Sequence, residues 1–178
     1  MRHGHDDVLR DWFRNPERWW KRDAAFDDYL RETYGSDVEA AIRGELDDWA
    51  GSPRGALALV ILLDQLTRNI YRGTPRMYAG DAKAVATSLA VIESGADTSL
   101  SADERQFLYM PLMHSEDHAL QRRSLEKFRE LGGSLEYAQH HAEIVLRFGR
   151  FPHRNAILGR ESTPEEVEFL NQPGSSFY

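Results

Sequence analysis

The chain has 178 residues, of which 41% are hydrophobic, a formal net charge of −7 and no cysteine. That is enough apolar material for one ordinary core, and the missing cysteines exclude disulfide stapling, thiolate catalysis and cysteine-ligated zinc. The acidic balance argues against nucleic acid or an anionic membrane surface as partner, and the longest apolar run, Ala56 to Leu63, is far short of the ~20 residues that cross a bilayer.

Sustained apolar/polar alternation is absent and β-branched residues are sparse, whereas helix start and stop signals recur, so the expected class is all-α. Helices are predicted over 6–14, 16–22, 24–34, 37–50, 53–70, 79–94, 101–130, 134–148 and 164–171. The aromatics of the first of these, Trp12, Trp19, Trp20, Phe26 and Tyr29, read together with Trp49 as large packing anchors. Gly35 then suggests a stop, and Ser36 with Glu39 has the spacing of a capping box that would start the next helix. Gly44, Gly73, Gly95 and Gly132 mark further ends. Pro53 after Ser52 opens the helix over 53–70, and Ala56 to Leu63 is apolar on every face, which only a helix surrounded by protein tolerates. This helix is expected at the centre of the fold. Its last turns become polar: Asp64 and Arg68 are four apart and can pair, and Asn69, Arg72 and Asp81 follow.

Ser101 with Glu104 starts the long segment 101–130, which cannot be one straight helix. Pro111 lacks a donor and clashes with the carbonyl of Phe107, so a kink or break is predicted near Met113 to Ser115, with His114 at the bend. In the next helix His141 has apolar neighbours at helical spacing and should face the core, with His140 outward. Thr163, Pro164 and Glu166 start the last helix. Short helices joined by tight turns suggest stacked antiparallel hairpins around the central helix, in one helical domain over residues 1–172. Residues 173–178 are expected to form a loose tail. No apolar leader is read at the N-terminus, so a cytoplasmic location is expected.

Three constellations could carry chemistry. The first runs Arg147, Phe148, Gly149, Arg150, Phe151, Pro152, His153, Arg154, Asn155; between Ile144 and Arg160 there are four arginines and no acid. Guanidinium forks on a loop shaped by glycine and proline suit a carboxylate or phosphate, which they bind bidentately. The same arginines could equally pair with acidic ends of neighbouring helices and clamp the loop. The second is His114, Ser115, Glu116, Asp117, His118. Its His-x-x-x-His spacing would put two imidazoles on one face of a continuous helix, as a metal site needs, but the break at Pro111 argues against continuity, and no metal ligand is assigned. His114 remains a candidate acid or base, because an imidazole titrates near neutrality. The third is His141, for which a packed, hydrogen-bonded core role is expected. No phosphate loop, dinucleotide glycine pattern, nucleophile elbow or His-Glu-x-x-His pattern is present, and no cofactor is expected.

The strings Trp19-Trp20, Leu57 to Arg76, His114 to Asp117 and Arg147 to Glu166 resemble an uncharacterised bacterial family, domain of unknown function 924, along nearly the whole chain. The resemblance implies a tetratricopeptide-like arrangement of stacked helical hairpins and no particular reaction. It places Arg68, Asn69, Arg72, His114, Glu116, Arg147, Arg150, His153, Arg154 and Asn155 among the positions that match the family pattern. At His118 the family pattern has an apolar residue, which weakens a metal site further.

Three functions compete. A binding module would present Arg68, Asn69, Arg72, Arg147, Arg150, Arg154 and Asn155 to an acidic peptide or a small anionic molecule. An enzyme would hold a small anionic substrate with the arginines and move a proton with His114 or His153, assisted by Glu116. Alternatively the polar strings form one buried network that fixes helix register. The question is whether the arginine loop meets His114, Glu116 and the Arg68 corner, and what it does there.

Overall fold

The structure, a computed structural model, describes residues 2–177; Met1 and Tyr178, the latter the last residue of the expected tail, lie outside it. Among the described residues there are eight helices and no strand. They are α1 (His5–Arg14), α2 (Ala24–Arg43), α3 (residues 53–70), α4 (Asp81–Glu93), α5 (Ala102–Met113), α6 (His118–Leu131), α7 (Leu135–Phe148) and α8 (Pro164–Leu170), with short 3-10 turns between several of them. Among the described residues no helix is long and apolar enough to cross a membrane.

Helix α3 lies at the centre, as its composition requires. Ser52 caps it by accepting from the Gly55 amide at 3.1 Å, and Pro53 occupies the first turn, where a missing N–H costs nothing. Ala56 through Leu63 are at most 1% exposed, because α1, α2, α4 and α5 all pack on this helix.

Midway, α3 changes its winding: Pro53–Val60 is α-helical, Ile61–Leu66 is a π turn, and Thr67–Ile70 is α-helical again. A π turn disturbs the regular ladder and frequently accompanies a functional position. Here side chains take up the carbonyls it displaces. The Thr67 hydroxyl donates to the Leu63 carbonyl at 2.7 Å, and Arg68 Nη1 donates to the Asp64 carbonyl at 2.7 Å. Gly80, just before α4, presses its Cα against the Leu63 carbonyl, so that any Cβ there would overlap that oxygen. The close approach explains why glycine stands at a buried position whose backbone angles any residue could adopt.

Two sequence expectations are corrected and a third holds. Residues 16–22 make only a 3-10 turn over Pro16–Arg18. Gly35 does not end a helix: α2 runs through it, because Tyr34, Val38, Ala40 and Ala41 form one buried face that a break would dismantle. Glu39, freed from capping Ser36, binds Tyr71 and Arg76 instead. The predicted segment 101–130 divides in two, as Pro111 suggested. α5 stops at Met113, and Asp117 starts α6 by accepting from the amides of Ala119 and Leu120 at 2.8 and 2.9 Å. Gln121 Nε2 reaches back to the carbonyls of Met113 and Ser115 at 2.8 and 2.6 Å and so satisfies two carbonyls at the break. The capping boxes at Ser101 and Thr163 form as expected.

Beside the main core lies a second, small apolar cluster of Ile144, Val145, Phe151 and Phe169, flanked by Phe148 and Phe177. It is the floor under the arginine segment. Residues 173–177, expected to be loose, are docked on it: His140 Nε2 donates to the Gly174 carbonyl at 2.7 Å, and Phe177 stacks on His141.

The Gly80 contact yields a direct test. Gly80→Ala is expected to destabilise the fold by about 1–3 kcal/mol or more through backbone overlap, read as a lowered midpoint in urea. An unchanged midpoint would show that the π turn has room to move.

Candidate functional site

The π turn directs the Asp64 carboxylate, which has no exposed side-chain surface, onto His114 at the end of α5. His114 Nδ1 lies 2.8 and 3.0 Å from the two carboxylate oxygens. A carboxylate only accepts, so the ring proton sits on Nδ1, and Nε2 is the nitrogen with a lone pair for proton exchange. Asp64 is further held by Gln65 Nε2 at 2.6 Å and by Arg68 Nη1 at 3.0 Å.

Around this pair the arginines arrange themselves in a second layer. Arg68 makes a bidentate contact to Asp81 at 2.9 and 3.0 Å, a fork geometry that lysine could not reproduce. From the loop, Arg154 Nη2 donates to the His114 carbonyl at 2.8 Å, Nη1 lies 3.8 Å from Asp81, and the guanidinium packs over Tyr78 and Phe151. His141 stands next to His114, ring centroids 5.8 Å apart, and donates from Nδ1 to the Tyr137 carbonyl at 2.7 Å. His153 packs against Phe151 on the other side. The arginine loop thus does meet His114, directly through Arg154, and approaches Arg68 through their shared neighbour Asp81.

Glu116 joins a different group. It accepts from the Phe151 amide at 2.8 Å and from both ends of the Arg160 fork at 2.7 and 2.9 Å. Arg160 Nε donates to Asn155 Oδ1 at 3.0 Å, and Asn155 Nδ2 donates to Glu166 at 3.2 Å. Arg150 completes the chain with a bidentate pair to Glu166 at 2.6 and 2.7 Å. Each cation in this group faces a carboxylate, and Glu116 is committed to holding the loop backbone.

The remaining candidates lie apart. Asn69 and Arg72 both bind Asp27 of α2, Arg72 through Nε at 2.8 Å and Nη2 at 3.1 Å. Arg147 is exposed and pairs with Glu165. His114 and His118 belong to different helices, and among the described residues no group of three or more His, Asp or Glu side chains is arranged to hold a metal ion. A cleft of about 630 Å³ lies between α1 and the start of α5, lined by Leu9, Arg10, Phe13, Trp19, Arg54 and Glu104 among others, and shares no residue with the His114 cluster.

A family model described as "Bacterial protein of unknown function (DUF924)" matches residues 8–174. The chain belongs to this family. A solved structure titled "Structure of Protein of Unknown Function ATU0120 from Agrobacterium tumefaciens" is 44% identical, superposes with a TM-score of 0.90 and is matched over 94% of this chain and 96% of that one. No curated protein matches the chain.

In this DUF924 member the electrostatics of the cluster follow from burial and pairing. Burial pushes Asp64 upward, but Arg68 and His114 outweigh it and hold the carboxyl below its ordinary range. Burial lowers His114, against the opposing pull of Asp64. His141 is driven down to about 2 by burial, reinforced by His114, and His153 to about 3 by burial and Arg154. Burial raises Glu116, yet its bonds from Arg160 and the Phe151 amide leave it lowered. The Arg150 fork, ahead of opposing burial, brings Glu166 down to about 2.

Several of these residues carry no signal of their own in the sequence. Asp64 stood out only as a partner for Arg68, and Asp81 only as a following acid. Glu166 stood out only as the capping partner of Thr163 and Arg160 only as the last arginine of the basic segment, whereas Tyr78 is brought in by tertiary approach alone.

Two expectations follow. Arg150→Met removes the fork that faces Glu166 and should lower the midpoint of chemical denaturation; a neutral result would mean that Asn155 and the Thr163 amide suffice to hold that carboxylate. Acid stability has a defined sign. His141 and His153 stay neutral in the folded chain but take up protons in the unfolded one below ~6.5, so unfolding binds protons and stability falls as pH drops from ~6.5 towards 3. By pH 5 His141 alone should account for about 2 kcal/mol of that loss, and His141→Phe should flatten this part of the melting-temperature profile. A profile identical to the parent's would contradict the neutral assignment.

Proposed function

We propose that the chain is an enzyme that transfers a proton on a small anionic substrate, with His114 as the base and Asp64 as the residue that orients it. The observation that supports this reading is the Asp64–His114 pair. Burying a carboxylate against an imidazole is costly, and a hydrocarbon pair would fill the same space more cheaply. The arrangement is instead suited to chemistry: the carboxylate fixes the tautomer and ring plane, and stabilises the imidazolium formed when Nε2 accepts a proton. Because the His114 pKa is lowered, the ring is in its basic form at neutral pH.

The anionic character of the substrate rests on Arg68 and Arg154. Both approach Asp81, the most exposed acid of the group, with about a quarter of its side chain open to solvent. A substrate carboxylate or phosphate would take the place of Asp81 between the two guanidinium forks and so come to rest beside His114. His153 and Glu116 take different parts from those expected of them, His153 as a wall of the cluster and Glu116 as the anchor of the loop. An acidic-peptide groove finds less support, because Arg72, Arg147 and Arg150 are each paired with a carboxylate of the chain itself.

The test combines binding and turnover. Titration with succinate and with inorganic phosphate should move the His114 ring resonances saturably, and Arg154→Gln should weaken that response. Across a panel of small carboxylate and phosphate esters, His114→Gln should lower turnover by about 10²–10⁴-fold. Anions that leave His114 unmoved, or turnover indifferent to His114→Gln, would sink the proposal.

A further inference from the structure

Phe177 sits in a slot built of rings. Its ring is parallel to that of His141, with centroids 3.6 Å apart and planes at 10°. His140, His153 and Phe151 close three sides nearly edge-on, at 5.2, 5.5 and 6.1 Å. One face stacked and several edges in T-shaped contact is the geometry in which an aromatic ring gains most from its neighbours. The stacked wall of the slot, His141, is the imidazole adjacent to His114.

The segment that carries Phe177 into the slot follows neither helix nor strand. It is fastened by the His140 bond to the Gly174 carbonyl, by the Ser175 hydroxyl donating to the Leu170 carbonyl at 3.1 Å and by the Ser175 amide donating to the Gln172 carbonyl at 3.4 Å. These anchors all lie before the ring in the chain. The walls of the slot belong to α7 and to the turn that carries Arg154, and that turn is held at Phe151 by Glu116 and at Asn155 by Glu166. The occupant is tethered to the chain that forms its receptor.

We propose that this slot is a subsite for a planar aromatic or heteroaromatic ring, and that residues 173–177 are a displaceable strap that occupies it in cis with Phe177. The location of the reacting group rests on the reading of His114 above. Together they define the substrate class as a small anion bearing a planar ring, with the ring on His141 and the anionic group towards Arg154 and Arg68. A tethered occupant competes at high effective concentration, and an external ligand binds only the fraction of molecules in which the strap is away.

The experiment uses the full chain, with indole as a probe of the ring slot alone, succinate as a probe of the arginines alone and benzoate as a probe of both. The His141 and His153 ring resonances are followed in the parent, in Phe177→Ala and in Phe177→Trp. Indole should bind Phe177→Ala about tenfold or more tighter than the parent, moving both imidazoles, whereas Phe177→Trp, which refills the slot, should bind no tighter than the parent. Phe177→Leu, apolar but not planar, provides a second opened slot should the alanine variant fail to fold, and should behave as alanine does. Equal indole affinity in all these proteins, or shifts confined to residues outside the slot, would overturn the proposal. Loss of the indole response with the succinate response intact would reject the slot and leave the His114 centre standing; the reverse pattern would reject the centre and leave the slot.

Discussion

Asp64 is a carboxylate without exposed surface in the middle of a helix whose preceding eight residues are hydrocarbon. An isolated charge there would be prohibitive, and its pKa would rise until it held a proton. It stays ionised because Arg68, His114 and Gln65 converge on it. Asp64 and Arg68, four residues apart, share one side of α3 and face the end of α5. The end of α5 is in turn fixed by the break between Met113 and Asp117. The polar side of the central helix, termination of its neighbour and closure by the arginine loop are therefore three aspects of one requirement, the neutralisation of a single buried charge.

The loop satisfies that requirement indirectly. Arg154 is its one arginine that reaches the Asp64 cluster, and it does so through the His114 carbonyl and the flank of Asp81. Arg150, Asn155 and Arg160 hold the loop in shape with Glu116 and Glu166 as counter-charges. The basic composition of the segment reflects two separate tasks, one arginine presented to the cluster and others spent on the frame behind it. Removing a member of the frame leaves a carboxylate buried and unmatched, which costs far more than a surface pair of the same geometry.

Much of the fold is legible in the sequence because the deciding signals are local. The all-round apolar run of α3, the boxes at Ser101 and Thr163 and the donor missing at Pro111 each act within a turn or two of where they stand. Gly35 and Ser36 mislead because the buried face formed by Val38, Ala40 and Ala41 outweighs a glycine penalty of about 1 kcal/mol. Of the site, the arginine segment and His114 can be read, since clustered charge and a helix break are visible one-dimensionally. What cannot be read is pairing. Glu116 stands beside His114 in sequence yet binds Arg160, and Arg72, four residues beyond Arg68, belongs to Asp27 on another helix. The π turn is hidden for a related reason: nothing in the residues from Ile61 to Leu66 distinguishes it from ordinary helix, and the overlap that forces glycine at position 80 exists only once the two segments meet.

The division of apolar residues into a large cluster and a small one has a consequence for how the molecule breathes. Ile144, Val145, Phe151 and Phe169 bury little hydrocarbon compared with the core around α3, and the loop they support is tied to the corner between α5 and α6 by the polar contacts of Glu116 and Arg154. Such a unit opens with a smaller free energy than global unfolding, and its opening is eased by salt and acid, which weaken ion pairs while leaving hydrocarbon contacts intact. The polar side of the molecule is thus its own cooperative unit, resting on a scaffold that persists when it lets go.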